Sequence, residues 1–285
     1  MLPARARDLG LAVLALVAFY LVFGGLARVL DLALGRLAGQ TAWMTAGRGL
    51  LAASVPALVA ALGIYAAILR LGGWTLERLR VPRGTGTVRR LAEGLLWGVG
   101  LAVLVLGLSV AGGARLMVEP SPEPYLGVAV PAAAGLAGAA LLEELLFRGF
   151  PLARLAEVTG AVVASAALAL LFVLAHWKNP DVSGVGLVNI GLASMLLSAV
   201  FFSAGGLPAA VGLHLGWNAG LALAADAPVS GLRFRLPALE YVSGPRAWWT
   251  GGAFGPEGGA AAAMVFLGAL LWWWRRGFRQ REVGA

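Results

Sequence analysis

The chain alternates long apolar runs with short charged ones. Leu9 to Ala27 is apolar between Arg5/Arg7 and Arg28, and Gly49 to Leu69 between Arg48 and Arg70. A polar stretch, Trp74 to Glu93, precedes the third run, Gly94 to Ala114. After a loop from Arg115 to Leu126, a fourth run starts near Gly127, and its helical pattern continues to about Val158. Thr159-Gly160 marks a turn. Ala161 to His176, Val185 to Ala204 and Leu207 to Ala225 follow, then a loop rich in Gly, Pro and Arg from Asp226 to Glu257. The last run, Gly258 to Trp274, ends in three tryptophans and a basic tail. A hydrocarbon core of about 30 Å takes roughly 20 residues of helix. The runs therefore predict seven or eight spans, an all-α polytopic transmembrane bundle.

Composition supports this reading. Only 13% of the 285 residues are charged and 60% are hydrophobic, against about 25% charged in soluble domains. Disorder is excluded by the same hydrophobicity. The first run is long for the apolar part of a cleavable signal peptide and no A-x-A-like site closes it, so it reads as a retained span. The formal charge of +8 is carried almost wholly by arginine. In a membrane protein such an excess reflects cytoplasmic loops and anionic lipid rather than nucleic acid. The N-terminus, the Trp74–Glu93 loop and the tail hold most of it, which predicts that both termini face inward. The expected setting is a bacterial cytoplasmic membrane. With no cysteine, disulfides, thiolate metal sites and cysteine nucleophiles are excluded. Gly94/Gly98 has a helix-packing spacing, but 41 glycines dilute that signal.

Three parts follow. Residues 1–126 hold helices 1–3 and a basic loop, residues 127–225 a catalytic core of helices 4–7, and residues 226–285 an outer loop, the last span and the tail. The core contains the residues that least belong in lipid, which mark function by default. Glu144 and Arg148 are i, i+4 neighbours on one helix face, and an ion pair between them accounts for both. Glu143 has no such local partner. A second carboxylate beside the first, in a partly buried site, resists ionisation, the property a general base working near neutral pH needs. His176 ends the fifth run, and His214 lies one turn before Asn218 in the seventh. Glu143 lies 17 residues before Gly160 and His176 lies 16 after it. At 1.5 Å per residue, a hairpin about Gly160 brings both to one level, about 25 Å from the turn. The depth of His214 is left open.

Converged, these residues suit hydrolysis of an amide. Glu143 can deprotonate water, His176 can orient that water or Glu143, and His214 with Asn218 can donate to the tetrahedral oxyanion. Arg148 can hold Glu144. Alternatively Glu143, His176 and His214 form a His/His/Glu set of the kind that binds catalytic zinc, although H-E-x-x-H is absent. The paired aspartates of other intramembrane proteases, G-x-S-G, Walker A and dinucleotide motifs are absent too.

Glu143-Glu144-x-x-x-Arg148, then Phe172-x-x-x-His176, then His214-x-x-x-Asn218, resembles the CPBP family, the CAAX prenyl protease type II and bacteriocin-processing proteins also called ABI. The motifs stand in that family's order over roughly Val130 to Ala225, with Arg148-Gly149 and Gly212-Leu213 as fitting flanks. The resemblance implies an α-helical intramembrane endopeptidase. Glu143 would be its water-activating base, His176, His214 and Asn218 its catalytic partners, and Glu144 and Arg148 their supports. The substrate would be a membrane-associated peptide or protein, with lipidation carried over from the eukaryotic members only as an open question, and membrane lipids would surround it. Metal-free and metal-dependent chemistry both remain open, the former favoured. A non-catalytic scaffold or immunity protein and a small-molecule transporter are the competing readings.

Overall fold

The helices fall on the apolar runs, and the departures from the expected pattern surround the polar residues. The computed structural model describes residues 4–38, 46–119 and 124–282. Helix α1 (Ala4–Ala38) outruns the first apolar stretch, with Arg28 and Asp31 paired at i, i+3 on its surface. After α2 (Ala46–Leu71), α3 (Thr85–Ala111) begins nine residues before its apolar run does. Arg89 and Arg90 both bridge to Glu93 there, so a polar sequence is still a helical one. Then come α6 (Ala161–His176), α7 (Gly184–Phe202), α8 (Gly206–Ala225) and α10 (Ala260–Glu282). Six of the described helices are long and apolar enough to cross a bilayer, and α6 and 260–273 are shorter apolar helices. The chain is a multi-pass membrane protein.

The fourth run does not continue unbroken to Val158. It is α4 (Tyr125–Phe147) and α5 (Phe150–Thr159), separated at Arg148-Gly149. Pro151 has no N–H and its ring opposes the carbonyl four residues back, while Gly149 takes ψ −122°. The backbone groups freed by the break are satisfied from outside. Tyr65 of α2 donates to Leu145 O and accepts from Phe150 N, both at 2.6 Å, and Tyr20 of α1 donates to Leu146 O at 2.9 Å. A Cβ on Gly149 would lie 1.8 Å from the Tyr65 hydroxyl. Only glycine fits there.

The two loops read as irregular are partly built. Residues 115–119 form β1 (Arg115–Glu119), antiparallel to β2 (Ala238–Val242), with Met117 opposite Glu240. The rest of the first loop, 120–123, lies outside the described residues. The second loop adds α9 (Ala247–Thr250) and two short 3₁₀ turns. At the opposite end of the bundle sit the arginine-rich 72–84 turn and the turns at 160 and 203–205. Arg78 bridges to Glu157 at 2.6 Å, Arg80 donates to Phe202 O at 3.0 Å, and Leu207 N donates to Arg80 O at 3.1 Å.

The tightest seam joins α3 to α8. Gly94 and Gly98 face Gly212 and Gly216 so closely that a Cβ on any of the four would meet a backbone oxygen of the other helix at 2.1–2.2 Å. Small residues permit such an approach in lipid, where close packing replaces the hydrophobic drive. The pair at 94 and 98, undistinguished in the sequence, is half of an interlocking set. At 100° per residue, His214 and Asn218 point away from the Gly212/Gly216 edge. The seam thus fixes the helix that carries two candidate residues.

Candidate functional site

Glu144 and Arg148 lie at the end of α4, both with fully buried side chains, and pair at 2.9 Å. The i, i+4 geometry read from the sequence is present, but the pair is one link in a longer chain. Arg148 also donates to Ser194 Oγ of α7 at 2.7 Å and stands over the Phe172 ring at 4.5 Å. Glu144 Oε1 takes a second bond, 2.8 Å, from His214 Nδ1 of α8. One buried pair therefore ties α4 to α7 and α8. A buried ion pair is sustained by such added hydrogen bonds.

Glu143 faces the other way. Its Oε2 stands 3.7 Å from His176 Nε2 and 3.8 Å from His214 Nε2, and no described residue bonds it. The hairpin arithmetic that levelled Glu143 with His176 holds, and α8 brings His214 to the same point.

The protons on the two rings follow from their other nitrogens. His176 Nδ1 is 2.8 Å from Phe172 O, a group that only accepts, so Nδ1 carries hydrogen. His214 Nδ1 meets a carboxylate already paired to Arg148, and carries hydrogen for the same reason. In the neutral rings both Nε2 atoms are then bare acceptors turned towards a third acceptor. The separations exceed a hydrogen bond. The ring of Phe172 holds this arrangement, 4.3 Å from the His176 centroid and 6.4 Å from that of His214.

These groups line a cavity of about 380 Å³ together with Asn218, one turn beyond His214. All six sequence-predicted residues are thus gathered: Glu143, His176, His214 and Asn218 on the cavity, with Glu144 and Arg148 behind it. The donor types suit a divalent ion, but as placed no group of three His, Asp or Glu side chains among the described residues is arranged to hold one.

Sequence reasoning missed the far wall. Val229, Ser230 and Phe234 of the 226–259 segment line the cavity, as does Glu257. Glu257 accepts from Trp217 Nε1 at 2.7 Å and from Ser230 N, and Asn179 Nδ2 reaches Ser230 O at 3.0 Å. Burial pushes the Glu257 carboxyl above the usual carboxylate range, against the lowering effect of its two N–H donors. Asn189 of α7 donates from Nδ2 to Glu257 O at 2.7 Å and Gly259 O at 2.9 Å. Nothing local in the sequence marks Glu257, a loop carboxylate brought in by long-range folding. Asn189 did carry a signal, since it interrupts an apolar run as Asn218 does.

Residues 126–220, 95 of the 285, match the family model of type II CAAX prenyl endopeptidases, Rce1-like. The matched segment contains all three motifs, and the family is the one the motifs resemble. At the level of family the likeness is to a peptidase. No curated protein and no solved structure matches the chain.

Proposed function

We propose, from a central segment similar to type II CAAX prenyl endopeptidases, that the chain is an intramembrane endopeptidase in which Glu143 activates water. One observation carries the reading: a buried carboxylate oxygen without a bonding partner among the described residues meets two imidazole Nε2 atoms at 3.7 and 3.8 Å on the wall of the cavity. A water there bonds to Glu143 and His176. Glu143 takes its proton as the oxygen attacks the peptide carbonyl carbon. His214, its Nδ1–H held by Glu144, carries a second proton at Nε2 and from there donates a hydrogen bond to the oxyanion, keeping the proton, beside the Asn218 amide. Collapse breaks the C–N bond, and Glu143 returns its proton to the leaving amine. Arg148 holds Glu144 in place. No step is routed through a metal. Both termini face the cytoplasm of a bacterial cell, and the substrate is a membrane-associated peptide or protein.

The test is cleavage of a quenched peptide library, with and without a C-terminal prenyl group, by protein in nanodiscs. Glu143→Gln is expected to lower turnover about 10²–10⁴-fold, the usual contribution of a general base. A chelator is expected to leave the wild type unchanged. Equal cleavage by the wild type and Glu143→Gln overturns the role of Glu143. Loss of cleavage on chelation, restored by zinc, overturns the metal-free form.

A further inference from the structure

The cavity lies off-centre along the bundle. Its loop residues, Asn179, Val229, Ser230, Leu232, Phe234 and Glu257, all come from the end that carries β1 and β2. Among the described residues, none that lines it belongs to the 72–84, 160 or 203–205 turns of the arginine-rich end. On that side of Glu143 the bundle is sealed. Phe147 packs edge-on against Phe172 with centroids 4.9 Å apart, and the fully buried Arg148 stands behind them. Two lining residues are exposed, Ala175 and Leu232, while the other described ones are buried or half-buried. Ala175 precedes His176 in the last turn of α6, and Leu232 belongs to the segment that roofs the cavity. Just past this rim Trp177 is 59% exposed and Lys178 is exposed too. Tryptophan and lysine mark the headgroup level of a bilayer. The rim therefore lies near one membrane surface.

We infer that the cavity is entered between the last turn of α6 and the 226–259 segment, from the face opposite the arginine-rich end. This deepens the peptidase reading and rests on it for the nature of the guest. With the arginine-rich end inward, the substrate is a peptide segment lying on the extracytoplasmic surface of the membrane. A cytoplasmic segment would have to pass Arg148 and the Phe147–Phe172 contact to reach Glu143. The rim residues Ala175 and Leu232 are apolar, which suits a segment already resting in the interface.

The test reads access rather than cleavage. The chain has no cysteine, so a single thiol reports a water path. Ala139→Cys, Ala175→Cys and Ala193→Cys place one on the α4, α6 and α7 walls in turn, and Arg83→Cys and Arg233→Cys mark the two ends. In sealed membrane vesicles of either orientation, a charged maleimide should modify the cavity thiols where it modifies Arg233→Cys. It should leave them unmodified where it modifies Arg83→Cys, with detergent-opened vesicles giving the total. Leu232→Trp, which narrows the rim, should slow labelling of Ala193→Cys. Labelling of the cavity from the Arg83 side, or from neither side, overturns the entrance, and unchanged labelling with Leu232→Trp overturns its position. If Arg83→Cys is the marker exposed on intact cells, the extracytoplasmic substrate class is overturned. If access behaves as expected while the detergent-solubilised wild type cleaves nothing, the entrance stands and the peptidase reading falls. Glu143-dependent cleavage with labelling from the Arg83 side leaves the peptidase standing and removes the entrance.

Discussion

The α3–α8 seam permits a test in which one substitution has opposite signs on two faces of one helix. A Cβ added at Gly98 would lie 2.2 Å from Leu213 O and 2.6 Å from Trp217 N. Ordinary contact begins near 3.4 Å, so α3 and α8 must part by about 1.2 Å. A gap of about that size forfeits a quarter to a half or more of each contact along the seam, and overpacking typically costs about 1–3 kcal/mol. At Gly107, on the same helix, a Cβ meets nothing within 4 Å. There alanine should stabilise by about 0.5–1 kcal/mol through backbone entropy. The two variants should therefore differ by about 1.5–4 kcal/mol. They should also differ in activity. Displacing α8 by about 1 Å moves His214 and Asn218 relative to Glu143, and an error of that size can cost about 10²-fold. Thermal unfolding in nanodiscs and peptide cleavage read both quantities. If Gly98→Ala matches Gly107→Ala in melting and turnover, the seam does not position the site, and the account of α8 is wrong.

Four more outcomes are expected. Arg148→Leu strands Glu144 in a fully buried site and should cost about 3–5 kcal/mol, seen as loss of the folded protein on detergent-resistant size exclusion. Tyr65→Phe leaves Leu145 O and Phe150 N without their shared hydroxyl, and should cost about 1–3 kcal/mol on a melting curve while the far-UV helix signal is kept. Glu257, raised by burial above its ordinary 4.5, holds its proton more tightly in the folded protein than in the unfolded chain. Its contribution is therefore full below 4.5 and is lost as pH rises through the raised value, so Glu257→Gln should flatten this part of the melting-temperature profile. Because the chain has no cysteine, single replacements at Arg83 and Arg233 report sidedness cleanly. An impermeant maleimide should reach Arg233→Cys in intact cells and miss Arg83→Cys, and the reverse labelling overturns the inward assignment of the arginine-rich end.

Helix positions were legible because bilayer thickness and apolar length are tied. α6 runs from Ala161 to His176 in the structure as in the sequence. Charge inside an apolar run exposed Glu143, Glu144 and Arg148, and the Gly160 hairpin set the level of His176. What stayed hidden needed distant partners. The break after α4 depends on hydroxyls from α1 and α2, so Gly149 and Pro151 alone read as part of one long helix. Ser194 is one serine among several until Arg148 reaches it. The β1–β2 pair joins residues more than a hundred positions apart, with no hairpin turn to announce it. Glu257 enters the cavity only because the segment from 226 folds back over the bundle.

The clamp at that break bears on how the protein is made. Both hydroxyls that quiet the exposed backbone beside Arg148 come from helices ahead of the motif-bearing segment, Tyr20 and Tyr65. During synthesis they are in the membrane first, waiting when the interrupted helix emerges. In hydrocarbon a bare carbonyl or N–H finds no solvent to turn to. Residues 126–220, which bear the three motifs, thus lean on helices outside the matched segment. A gene fragment encoding them alone would lack Tyr20 and Tyr65, the two side chains that close the break.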